Sequence, residues 1–198
     1  MASLNSPLAQ QRLLTRIRTL PVSVLRASAT VDFLQLFAGT KPAIRSVLDT
    51  PAGVTSMRTW CREAEFDFAV DNDRYFCVTS SQGQAQVILN LDRQFEQHEL
   101  DFGQVLGYPL CCCHQIAQIT EAGIDAYAAV VAHWRFTGDY QLINPSGYLV
   151  GDSLISHLPC SPYCKASLAL AKQTLLFSRT YTTELRELLS TNHYLLSV

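Results

Sequence analysis

Glu65-Phe66-Asp67-Phe68-Ala69-Val70, then Asp71-Asn72-Asp73, then Tyr75-Phe76-Cys77-Val78-Thr79, is the stretch on which the fold turns. Phe66, Phe68 and Val70 alternate with their neighbours, the period of a strand with one buried face. Asp71-Asn72-Asp73 is turn chemistry, because short Asp and Asn side chains hydrogen-bond their own backbone. Tyr75 to Thr79 is aromatic and β-branched, as strands prefer. A further apolar run, 84–91, follows Ser80-Ser81-Gln82-Gly83 and reads as a third strand. Residues 61–92 therefore predict a three-strand antiparallel meander.

Outward from this stretch the period becomes helical. Residues 8–20 place Leu13, Leu14, Ile17 and Leu20 on one face, and Pro21 ends the run. Residues 29–38 predict a second helix, opened by Thr30 or Asp32 and stopped by Gly39. Pro42 opens a third, short one through Leu48. After Asp92 the helical period returns to about Leu106. Helices follow over about 109–119 and 121–134, then a loop rich in Gly, Pro, Asn and Asp over 136–151. Residues 152–158 read as irregular. A long helix is expected from Ser161 to about Ser178, and a last helical stretch over 182–189. The fold class is α+β: a small antiparallel sheet of about three strands packed with several helices. We expect a single domain over 1–198, helical over 1–60, a β-meander over 61–92, and helical again over 93–198, where the cysteine site lies.

The 198 residues are 48% hydrophobic, enough for a sizeable core. Fifteen basic against seventeen acidic residues, with no basic run, exclude a concentrated face for nucleic acid. The arginine-containing start lacks the apolar stretch of a secretory signal. No segment approaches the ~20 apolar residues that span a bilayer. Seven cysteines, an odd number, argue against a disulfide framework, so a cytoplasmic protein with reduced thiols is expected. No dinucleotide, P-loop, H-E-x-x-H or G-x-S-x-G motif is present.

Two clusters hold five of the seven cysteines. One is Gly107-Tyr108-Pro109-Leu110-Cys111-Cys112-Cys113-His114. The other is His157-Leu158-Pro159-Cys160-Ser161-Pro162-Tyr163-Cys164. Pro109 suits position N1 of a helix, as does Pro162 after Ser161 as N-cap. Thiols at a helix N-terminus ionise more readily, and thiolate is the form that binds metals and attacks electrophiles. Cys111, Cys112, Cys160 and Cys164 are the candidate cofactor ligands, with His157 nearby as a further metal ligand. Neighbouring residues on a helix point about 100° apart, so Cys111 and Cys112 reach two irons of one cluster more easily than one zinc. Zinc held by cysteines and a histidine is the alternative. Cys61 and Cys77 sit among aromatic residues and read as core packing.

The chain resembles a poorly characterised prokaryotic domain family with the pattern L-G-Y-P-x-C-C followed by H-x-P-C-S-x-x-C. The residues that carry this are Leu106 to Cys112 and His157 to Cys164, and Ser167-Leu168-Ala169-Leu170-Ala171 is also similar. The resemblance covers about 94–178. It matches Cys111, Cys112, His157, Cys160 and Cys164, and leaves Cys113 and His114 as extras of this chain. It supports a site without naming a reaction.

The function expected is a metal-dependent enzyme acting on a small molecule, an oxidoreductase by its thiolate-rich centre. The cofactor expected is an iron–sulfur cluster, of the 4Fe–4S kind, or zinc. His157 and Cys112 are the candidate catalytic residues. The alternatives are a zinc-stapled accessory module without turnover, and a metal-free enzyme with a redox-active or nucleophilic cysteine. Neither nucleic acid nor membrane is expected as a partner. Asp139, Tyr140, Asn144 and Tyr148, on the loop before the second cluster, are candidate substrate contacts. Tyr108 precedes the first cluster. His98, His133 and His193 have no evident partner.

Overall fold

A computed structural model of the chain describes residues 6–186, 188 and 190. His193 lies outside them, as do two positions of the stretch 182–189. Residues 181–186 form turns rather than the expected helix.

The centre is β3 (Tyr75–Thr79), flanked by β1 (Ala43–Val47) and β2 (Asp67–Val70), both antiparallel to it. The sheet order is β1-β3-β2, with Ala43 opposite Thr79 on one side and Asp67 opposite Thr79 on the other. Successive strand side chains point to opposite faces. Phe76 and Val78 accordingly enter one core with Phe33, Ile44, Trp60 and Phe66. Cys77 enters a second core with Ala69, Ile88, Leu89 and Phe102. Cys61 and Cys77 are fully buried, as the packing reading expects.

Helices α2 (Ala27–Phe37) and α3 (Pro51–Glu63) pack on the first face, with α1 (Pro7–Thr19) beyond them. Helices α4 (Ala85–Arg93) and α5 (Phe95–Val105) pack on the second. The fold is α+β with a three-strand antiparallel sheet, but two of its elements differ from expectation. Residues 85–91, within α4, are helix, not strand. Ala85, Ile88 and Leu89 are buried at helical spacing, and the Asp67 carboxylate accepts the Ala85 N–H at 2.7 Å, a favourable place for an anion. Residues 43–47 are strand, not helix. The helix-start proline is Pro51, nine residues after Pro42, where Thr50 caps α3 by accepting the Gly53 N–H. The sheet is therefore built from 43–79 rather than from a meander over 61–92.

Two long helices carry the cysteines. α6 (Leu110–Ala132) is interrupted at Thr120, where the sequence expects one helix to end and another to begin. α7 (Lys165–Thr180) starts later than Ser161, because Cys164 itself is the N-cap. Pro109 likewise caps α6 instead of opening it. Gly107, at φ +80°, makes the turn between α5 and α6, a conformation that glycine adopts freely.

Candidate metal centre

Cys111 and Cys112 occupy the first turn of α6, and Cys164 caps α7. The two helix starts meet. Cys164 Sγ is 3.7 Å from both Cys111 Sγ and Cys112 Sγ. Cys160, on the loop before α7, completes a group whose four sulfurs all lie within 4.8 Å of one another. Tyr127, on the second half of α6, donates its hydroxyl to the Pro159 carbonyl at 2.9 Å and holds that loop in place. Four cysteines so placed can hold a metal ion, with the positive ends of two helices turned toward them.

The expectation that Cys111 and Cys112 diverge does not hold, since their sulfurs are 3.9 Å apart. At the first turn each side chain swings toward the gap between the two helices. Cys113 goes the other way: its thiol donates to the Tyr108 carbonyl at 3.6 Å, and it packs where α5 comes close at Gly103. A Cβ on Gly103 would lie 2.7 Å from Cys113 Sγ. Neither Cys113 nor the exposed His114 belongs to the group.

His157, expected as a further metal ligand, lies outside this group of four. Its Nε2 is 2.8 Å from Ser167 Oγ. Ser167 donates its hydroxyl to Cys164 Sγ at 3.2 Å and lies 3.4 Å from Cys112 Sγ. The serine thus stands between histidine and thiols, an outer hydrogen bond of the kind that orients metal ligands. Burial disfavours the Cys164 thiolate, but the two Ser167 hydrogen bonds and the neighbouring thiols outweigh it and bring the thiol down to about 7. Burial pushes Cys112 up despite Ser167, and raises Cys160 to about 12. Burial, then the charge of Lys41, drives His157 down to about 3, so its ring is neutral.

A second polar group lies directly behind His157. Lys41 and Asp32, 3% and 1% exposed, form a buried ion pair. Lys41 also donates to Ser156 Oγ at 2.8 Å and sits 4.9 Å above the Tyr108 ring, which in turn lies 5.2 Å from the His157 ring. Tyr148 donates its hydroxyl to Asp32 at 2.8 Å. Of the loop candidates, only Tyr148 reaches this interior group. Asp139 pairs with Lys172 at the surface, Tyr140 packs on Tyr163, and Asn144 accepts from Ser146 in a turn.

Sequence reading missed Asp32, Lys41, Ser156 and Ser167. Asp32, expected with Thr30 as a possible helix start, lies inside α2, which begins at Ala27. Ser167 carried a signal, because it stands three residues after Cys164, the spacing at which an N-cap side chain meets a first-turn N–H. Lys41 carried none. Its partners are 9 and 115 residues away.

Two cavities border His157. One of 160 Å³ is lined by Phe102, Tyr108, Cys112, Cys113 and Leu158 among others. One of 350 Å³ lies between the second half of α6, the turn at 145–149 and Ser156. Among the described residues, no helix is long and apolar enough to cross a membrane. Comparison with protein-family models, curated proteins and solved structures finds no significant match.

Proposed function

We propose that this chain is a metal-dependent enzyme acting on a small molecule, with one metal ion held by Cys111, Cys112, Cys160 and Cys164. The observation that carries the reading is the convergence of these four sulfurs within 4.8 Å. Among Cys111, Cys112 and Cys164, the separations of 3.7, 3.7 and 3.9 Å match the edge of a tetrahedron. An ion about 2.3 Å from each sulfur has an edge of roughly 3.8 Å. A single iron or zinc suits that spacing. An iron–sulfur cluster binds each thiolate to a different iron and needs the sulfurs farther apart. The same residues carry the resemblance to the prokaryotic family, so we place the family's shared feature in this centre.

Iron in such a site supplies one-electron chemistry, and zinc supplies charge. The enzymatic part of the reading rests on what surrounds it. His157 lies between the centre and two cavities, in line with a role in handling substrate. Cys112 links the centre to the smaller cavity. A second reading, a zinc-stapled module without turnover, is favoured by the donor set, because four thiolates close a tetrahedral ion.

Metal and sulfide content of anaerobically purified protein, with its visible spectrum, tests both. One ion per chain without inorganic sulfide, lost in Cys160→Ser and Cys164→Ser, is expected. Iron and sulfide in equal amounts, several per chain, replaces the single ion by a cluster on the same ligands. Protein without iron, zinc or copper overturns the centre. Tightly held zinc whose chelation unfolds the chain supports the accessory module.

A further inference from the structure

The protons around the 350 Å³ cavity can be traced from fixed ends. The Leu154 carbonyl can only accept, so the hydrogen bond at 3.1 Å orients the Gln35 amide with its nitrogen toward Leu154 and its oxygen toward Ser156. Ser156 then donates to Gln35 Oε1 at 2.8 Å, while it accepts from Lys41. Tyr148 donates to the Asp32 carboxylate. Metal-bound thiolates only accept, so Ser167 spends its hydrogen on Cys164 or Cys112. His157 must then carry its proton on Nε2 and donate to Ser167, which leaves Nδ1 as a bare lone pair. Among the described residues no partner for Nδ1 is found, although His157 is only 8% exposed.

Tyr148, Ser156 and His157 all line this cavity, and each has committed its hydrogen inward. Ser146, the other polar residue of its lining, gives its hydroxyl hydrogen to Asn144 Oδ1 at 2.7 Å, and the remaining walls, including Ala128, Ala132, Pro145 and Leu158, are apolar. We propose that the cavity binds a small molecule with an apolar body and a hydrogen-bond-donating head, a hydroxyl or an amine, each of whose hydrogens is received by a lone pair of His157, Ser156 or Tyr148. The His157 part of this rests on the metal centre proposed above; the Ser156 and Tyr148 parts do not. The site selects by refusal as well. A head that only accepts leaves two sets of lone pairs facing each other in a buried place, where unpaired polar groups are strongly disfavoured.

The test uses metal-loaded protein and three probes of equal size: benzyl alcohol, benzylamine and benzonitrile. The first two donate hydrogen bonds and the nitrile only accepts. Titration is followed by NMR of the Ala128 and Ala132 methyl groups. We expect the donor probes to shift these methyls and to bind at least ~10-fold tighter than benzonitrile. Ala128→Leu, which fills the cavity, should abolish the binding while metal content stays unchanged. Equal or tighter binding of benzonitrile overturns the proposal, as does binding that leaves both methyls unshifted or no binding at all. If Ala128→Leu does not fold, the methyl shifts of the unaltered protein decide. Metal content read on the same samples tests the centre separately. A metal-loaded protein without donor preference defeats the cavity assignment alone.

Discussion

Ser167 is the residue on which the centre and the cavity meet. One small hydroxyl touches His157, Cys164 and Cys112, and its backbone N–H also reaches Cys164 Sγ at 3.5 Å. Ser167→Ala keeps the helix but removes the hydrogen bond that favours thiolate. We expect metal affinity to fall by about 10–100-fold, measured by competition with a chelator, with the helical circular dichroism unchanged. Unchanged affinity would reduce Ser167 to packing. Lys41 and Asp32 make a second prediction at this scale. Removing one member of a buried ion pair leaves a lone charge, so Asp32→Asn or Lys41→Met alone should destabilise by about 3–5 kcal/mol. Asp32→Leu combined with Lys41→Met should lose less than either single change, read from urea midpoints. The four thiols were legible in the sequence because their spacing and helix-start prolines are local. The ion pair was not, since its members look like an ordinary helix residue and an ordinary surface lysine until the chain folds.

Among the elements, α6 holds a strained point. Thr120 has φ +57° and ψ 171°, a region nearly reserved for glycine. Thr120→Gly should stabilise the protein by about 1 kcal/mol, seen as a higher melting temperature, because the strain vanishes while the break remains. A lower melting temperature, the usual outcome of placing glycine in a helix, would show that Thr120 is not strained. The opposite outcome is expected at Gly103. An added methyl group pushes on Cys113 and through it on the first turn of α6. Gly103→Ala should therefore weaken metal binding although it touches none of the four ligands. The interruption at Thr120 was visible in the sequence, as were α1, α2 and the hairpin from β2 to β3. Residues 43–47 and 84–91 exchange identities because both are short segments, for which period alone does not separate strand from helix. What decides them is distant: β1 has β3 to pair with, and α4 has the Asp67 carboxylate at its start.

Across the molecule, the four cysteines join segments far apart in the chain. Cys111 and Cys164 are 53 positions apart, and a metal between them closes that loop. By the chain-entropy argument for cross-links, a loop of this size contributes about 4 kcal/mol against the unfolded chain. Chelation should lower the urea midpoint accordingly, and Cys160→Ser should make stability nearly independent of added metal. A midpoint that does not move on chelation would show the two helix starts are held together by packing alone.

The strand order β1-β3-β2 has a consequence for how the chain comes together. The middle strand is the last of the three to leave the ribosome. Until Tyr75 to Thr79 has been made, β1 and β2 have no partner, for they are parallel neighbours-but-one and never touch along a ladder. A nascent chain that stops at Val70 holds two orphaned edges and most of the first core's aromatic residues, including Phe33, Trp60 and Phe66. Nine further residues pair both edges in one step. Sheet formation is therefore abrupt in synthesis time, and a pause before Tyr75 is the moment at which the growing chain is most exposed to aggregation.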